Sequence, residues 1–247
     1  MNENPFLLQR FMDLTANLTT AQIFREWSAV VMVSATVARR CWVQINAGTE
    51  PFYPNMFVLA VGEPGTGKSQ AIDVAESLLR RSNVKVAPDT ITREQLWRRM
   101  AESMDAYGDT EHDVASVQSA LTVANSEVGN FIPEKDTEFM RALAKLYDCP
   151  AIYHYETKNQ SGKDHMKDFI DQPCLNILGG VQPRWMKDAL PEHAFETGFP
   201  ARLMLIHSGS ELMPNIELAE PTSSLHEDPR YSELVGNLRD LDRKSVV

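Results

Sequence analysis

Five short apolar runs punctuate the chain: "NMFVLAV" (55–61), "VKVA" (84–87), "SALTVAN" (119–125), "CLNILGG" (174–180) and "RLMLIHS" (202–208). Each is bounded by turn or polar residues and is continuous rather than alternating, the pattern of strands buried on both faces. Helical periodicity fills the gaps, with "KSQAIDVAESLLRRS" after the first run, "TREQLWRRMAESM" after the second, "DTEFMRALAKLYD" after the third and "PRWMKDAL" before the fifth. Such alternation predicts an α/β fold in three layers, a five-stranded, mostly parallel sheet between helices. Ahead of the first run, residues 20–42 read as one long helix with Thr20 as its N-cap, apolar nearly all round in the middle and so buried. Within 151–170, the alternating "IYHYET", the turn "NQSG" and a return arm predict a β-hairpin. Beyond Gly209 the chain becomes acidic and proline-bearing, a linker pattern, before a short helix at "YSELVGNLRDLD". The division expected is a helical element over 1–50, a core over 51–208 and a tail over 209–247. No internal repeat or low-complexity tract interrupts it.

Composition narrows the classes. A chain of 247 residues with 43% hydrophobic content can bury one good core and a small accessory element. The formal net charge of −10 argues against coating nucleic acid through overall basicity, so any such contact has to be concentrated in a local strip. Cys41, Cys149 and Cys174 are far apart and odd in number, which gives neither a zinc-ligand spacing nor a disulfide framework and fits a reducing cytoplasm. The N-terminus lacks the pattern of a signal peptide, and no run reaches the roughly 18 apolar residues needed to cross a bilayer. A soluble, cytoplasmic protein without a membrane partner is the expectation.

The strongest chemical signal is "GEPGTGKSQ", where a predicted strand passes into a predicted helix. Gly62, Gly67, Lys68 and Ser69 match G-x-x-x-x-G-K-S in the strand–loop–helix context that this motif requires. Glycines let the backbone curl so that successive N–H groups converge on phosphate oxygens, and the helix N-terminus adds its positive end. Gly62, Glu63, Pro64, Gly65, Thr66, Gly67, Lys68, Ser69 and Gln70 therefore form the expected binding set for ATP and Mg²⁺. Lys68 reaches the β- and γ-phosphates, and the Ser69 hydroxyl holds magnesium. Hydrolysis needs a further carboxylate at a strand end, and "LTVANSEVG" supplies Glu127 to polarise the attacking water. The preceding residue is Ser126 where an Asp is expected, leaving two alternatives: magnesium contacted through water, or a site that turns over slowly or serves as a switch.

The order of "GEPGTGKS", "VANSE", "LGGVQP" and "FPARLMLI" resembles the AAA+ class of P-loop ATPases, more closely the phage and prophage replication ATPases related to replicative helicases. The resemblance covers about residues 20–208. It implies that Gln182, before Pro183, senses the γ-phosphate, and that Arg202 is an arginine finger offered to a neighbouring subunit. Arg184 competes for that role. A finger acting in trans implies a homo-oligomeric ring, hexameric by resemblance. The hairpin stands where such motors carry one that points into the central pore, which implies contacts from Lys158, Lys163 and Lys167 to the backbone of single-stranded DNA. The function expected is an ATP-hydrolysing helicase or translocase of phage or mobile-element replication, working with a replication partner protein. Its rivals are a helicase loader or protein remodeller and a nucleotide-dependent switch; a nucleotide kinase is disfavoured by the lack of an arginine-rich lid.

Other residues carry less. His154 and His165 have no nearby cysteine pair and read as hairpin residues rather than metal ligands. Trp27, Trp42, Trp97 and Trp185 read as core, and Arg98 and Arg99 as a solvated helix face.

Overall fold

The computed structural model describes residues 6–107, 116–132, 136–156, 167–190, 192–209 and 225–243. Its centre is a five-stranded sheet built from β1 (Phe57–Val61), β2 (Met104–Tyr107), β3 (Ser116–Asn125), β6 (Pro173–Val181) and β7 (Leu203–His207), in the order β2-β3-β6-β1-β7. β1 runs parallel to β6 and β7, and β3 parallel to β6, whereas β2 is antiparallel to β3. All residues of β1 and β6 are buried, as their unbroken apolar runs require. The one polar side chain inside β6, Asn176, has its amide oxygen satisfied by the Ser34 hydroxyl at 2.8 Å and the Met56 N–H at 2.9 Å.

Alternate side chains of the sheet face two helical layers. Val58, Ala60 and Leu178 pack with α1 (Leu7–Leu14), α2 (Gln22–Val37), α3 (Lys68–Arg81) and α7 (Pro229–Arg243). Phe57, Leu59, Leu175 and Ile177 pack with α4 (Arg93–Glu102), α5 (Thr137–Tyr147) and the hairpin of β4 (Ile152–Glu156) and β5 (Lys167–Asp171). In α3 the buried positions Ala71, Ile72, Ala75, Leu78 and Leu79 form one stripe at helical spacing. α4 opens with a capping box between Thr92 and Gln95, and α5 with Asp136 accepting from the Phe139 N–H at 2.9 Å. α6 (Pro183–Ala189) follows β6 directly.

The α/β class, the five-stranded mostly parallel sheet and the antiparallel arms of the hairpin follow the sequence pattern, with four departures; the turn expected at 159–162 lies outside the described residues. The run at 84–87 is no strand: Val86 makes a single parallel bridge to Thr122. The fifth strand is instead β2, which begins at Met104, the last residue of the expected second helix, where Ser103 turns back onto the Met100 carbonyl and the mostly exposed strand pairs through its backbone. The long helix expected over 20–42 spans only Gln22–Val37. Ala21 occupies its N-cap position without a side-chain bond, the buried Thr20 hydroxyl has no partner among the described residues, and Ala38 at φ +45° ends it. Trp42, beyond that end, is 55% exposed rather than core. Finally, α7 is longer than expected, and its Tyr231, Leu234, Val235 and Leu238 are buried against the layer of α1, α2 and α3. Residues 210–224, expected as a linker, lie outside the described residues.

Candidate functional site

Because β1, β3 and β6 are parallel neighbours, their carboxyl ends fall on one edge of the sheet. Val61 stands opposite Val181, and Asn125 opposite Gly179. The residues that leave these strands, Gly62, Ser126 and Gln182, therefore emerge side by side. A cleft of about 620 Å³ opens there. Pro64, Gly65, Lys68 and Ser69 line it from the loop after β1; Ser126, Glu127 and Gly129 line it from the turn after β3. The third wall is the end of β6 and the first turns of α6, with Gln182, Arg184, Trp185 and Asp188. Crevices outside strand carboxyl ends are where open α/β sheets bind ligands.

The loop after β1 is anchored at its root by the Gly62 N–H donating to the Val181 carbonyl at 3.1 Å. Gly65 and Gly67 take φ of +85° and +71°, the left-handed region in which glycine is unstrained. Gly67 is the N-cap of α3, so the open N-terminus of a fourteen-residue helix faces the cleft. Lys68 donates through Nζ to the Glu63 carbonyl across the loop at 3.2 Å. Gln70 does not line the cleft. Its amide exchanges bonds of 2.8 to 3.0 Å with Thr19, which tie the α1–α2 connection to the start of α3.

On the second wall, Asn125 sets the backbone course. Its amide donates to the Asp89 carbonyl at 2.8 Å and its oxygen accepts the Glu127 N–H at 2.7 Å, which leaves the exposed Glu127 side chain at the cleft. The turn lies tight on β6, where a Cβ at Gly180 would stand 2.3 Å from the Ser126 carbonyl oxygen. Gln182 is exposed at the N-cap position of α6 and makes no capping bond, and Pro183 supplies the first helical residue. An ammonium, a hydroxyl, a carboxylate, a primary amide and an open helix N-terminus thus converge, a set suited to a polyphosphate carrying a hard divalent cation.

Arg202 lies elsewhere. It immediately precedes β7, at the amino edge of the sheet, and is held by Asp148 through two bonds of 2.9 and 2.7 Å and by the Gly198 carbonyl at 2.8 Å. Beside it, burial pushes the Tyr147 hydroxyl above the ordinary phenol range against the pull of the Arg202 charge. Of the hairpin lysines, Lys158 and Lys163 lie outside the described residues, as does the Lys167 side chain, although Lys167 pairs with Glu156 through the backbone of β5. Arg98 and Arg99 are exposed, as expected. No group of three or more His, Cys, Asp or Glu among the described residues could hold a metal ion. No helix of the described residues is long and apolar enough to cross a membrane.

Gly129, Gly180, Val181, Trp185 and Asp188 line the cleft without having been assigned to it from the sequence. Asp188 pairs with Arg184 at 3.6 Å across one turn of α6. Trp185, whose helical setting reads as core, forms part of the wall, and Gly129 lies against it. A glycine two residues past a candidate catalytic Glu and an aromatic three past a candidate sensor were the only hints. No protein-family model matches the chain, and no curated protein matches it either.

Proposed function

We propose that the chain is an ATPase of the AAA+ type that binds Mg-ATP in the cleft above β1, β3 and β6 and converts its hydrolysis into movement on single-stranded DNA as a ring. The observation that carries this reading is the convergence of Lys68, Ser69, Glu127 and Gln182 from three parallel strand ends on one cleft of about 620 Å³.

The backbone of Gly62–Lys68 and the start of α3 bind the phosphate chain, with Lys68 exchanging the Glu63 carbonyl for the β- and γ-phosphoryl oxygens. Ser69 offers its hydroxyl to the metal, an oxygen ligand of the hard kind magnesium prefers. A bound magnesium ion neutralises charge on the β- and γ-phosphoryl oxygens. Glu127 orients the attacking water and accepts its proton, and Gln182 donates from the other side to the γ-phosphoryl group. Arg202 cannot serve its own cleft. It sits at the opposite end of β7 from His207, which pairs with Val61, a span of about 15 Å along the strands. Any phosphoryl group it reaches belongs to another copy of the chain; Asp148 and the Gly198 carbonyl take three of its five N–H donors, which leaves one on each terminal nitrogen for that use.

The presence of Ser126 beside Glu127 in the cleft favours a second reading, a nucleotide-dependent switch with little turnover. Glu127→Gln separates the two. Under the motor reading it lowers kcat by about 10²-fold or more while Mg-ATP still raises the melting temperature, and Lys68→Ala abolishes that stabilisation. Turnover unchanged in Glu127→Gln contradicts the assignment of the base, and Mg-ATP stabilisation that survives in Lys68→Ala contradicts the site.

A further inference from the structure

The turn that carries Glu127 is pinned by three glycine contacts of different kinds. A Cβ on Gly180 would stand 2.3 Å from the Ser126 carbonyl oxygen, and one on Gly179 would stand 2.7 Å from the Val128 Cβ. Both fix the turn to β6, the rigid centre of the sheet. The third contact crosses the cleft wall, since a Cβ on Gly129 would stand 2.9 Å from Cδ1 and 3.0 Å from Nε1 of Trp185. The pyrrole edge of the indole therefore rests on the Gly129 backbone, two residues after Glu127. Trp185 itself belongs to the first turn of α6, and its N–H donates to the Gln182 carbonyl at 3.0 Å. Trp185 thus touches both sides, the Gln182 carbonyl through its backbone N–H and the turn that bears Glu127 through its indole. Its Nε1 is buried and has no hydrogen-bond partner among the described residues, which is an unfavourable setting for a donor.

We propose that Trp185 is a positioning residue, which couples Gln182 to Glu127: seating of the terminal phosphoryl group against Gln182 moves α6, and the indole carries that movement through Gly129 to the Glu127 turn. This rests on the reading of the cleft as a Mg-ATP site. Trp185 touches neither the phosphate chain nor the attacking water in this role, so its loss affects turnover more than binding.

The test compares wild type, Trp185→Phe, Trp185→Ala, Gly129→Ala and the Gly129→Ala/Trp185→Ala double variant. Intrinsic fluorescence comes first, because subtracting the Trp185→Phe spectrum removes the signals of Trp27, Trp42 and Trp97. The Trp185 emission is expected to shift with magnesium and a non-hydrolysable ATP analogue and to stay unchanged with Mg-ADP. In steady-state kinetics, Trp185→Ala and Gly129→Ala are each expected to lower kcat about tenfold with KM changed less than about threefold, and Trp185→Phe to retain most of the activity. In the double variant the glycine substitution should add less than about twofold, since no indole remains to displace. Trp185 emission indifferent to the γ-phosphate, or a Trp185→Ala enzyme with wild-type kcat, overturns the inference while the ATPase reading stands. If Trp185→Ala fails to fold, the fluorescence arm decides alone. A wild-type protein that binds no Mg-nucleotide overturns both.

Discussion

At the scale of single residues, the site depends on where glycine allows two backbones to meet. Gly65 and Gly67 are needed for their own conformation, and the motif announces Gly67, while Gly65 falls on one of its unspecified positions. Gly180 is needed because of a neighbour: the Ser126 carbonyl approaches it from β3, and a backbone oxygen cannot swing aside as a long side chain can. Gly180→Ala is expected to destabilise the fold by about 1–3 kcal/mol through overpacking and to lower ATP turnover more than nucleotide affinity, because the displaced segment is the one that carries Glu127. Denaturant unfolding and steady-state kinetics on the same preparation check it, and a variant as stable and active as wild type would show that the turn has room to move. The contrast explains what was legible at this scale. Lys68, Ser69 and Glu127 could be read from strings of consecutive residues, since each follows a strand that its own apolar run betrays. Gly180, Gly129 and Trp185 owe their roles to the register of β3 against β6 and of the 128–130 turn against α6, which local patterns do not encode.

At the scale of elements, burial is what the hydrophobic pattern reports, and elements held by other means escape it. β1, β3, β6 and β7 follow their apolar runs to within a few residues, whereas β2 is exposed along most of its length and joins the sheet through backbone pairing with Ser116–Ser119. α1 is a single eight-residue helix without a capping side chain, and Phe11 and Leu14 are its only fully buried residues. α7 shows the reverse, a short periodic segment whose stripe of Tyr231, Leu234, Val235 and Leu238 closes the layer over α1, α2 and α3. Its C-terminal end also compensates a buried charge. The Arg40 side chain is 5% exposed and pairs with Asp242, which is 25% exposed, while the Thr36 carbonyl accepts a further bond at 3.3 Å. Burial pushes the Asp242 carboxyl above the ordinary aspartate range despite Arg40. Asp242→Ala strands the guanidinium, with an expected loss of about 2 kcal/mol in unfolding free energy at pH 7, whereas Asp242→Asn, which still accepts a hydrogen bond, loses less. Equal stability of wild type and Asp242→Ala in urea would mean that Arg40 finds another partner and that α7 docks through its apolar stripe alone.

At the scale of the whole molecule, the sheet separates what the proposed motor has to bring together. The cleft occupies the carboxyl edge of β1, β3 and β6, and Arg202 the amino edge of β7, clamped to Asp148. Within one chain they do not meet, so the proposed chemistry is complete only when one copy's Arg202 faces another's cleft. The hairpin of β4 and β5 lies in the chain between α5 and β6, just before the strand whose end at Val181 leads into Gln182. On the proposed reading, that connection makes β6 the route from phosphate to hairpin. The acidic total of −10 confines any contact with nucleic acid to such a local element. The measurement that tests the central claim most directly is ATP turnover with and without single-stranded DNA, on wild type and Lys68→Ala, with particle mass recorded under the same nucleotide conditions. The account predicts turnover by a multi-subunit particle, stimulated by DNA and abolished in Lys68→Ala. A monomer that leaves ATP intact, or turnover that survives the loss of Lys68, would contradict it.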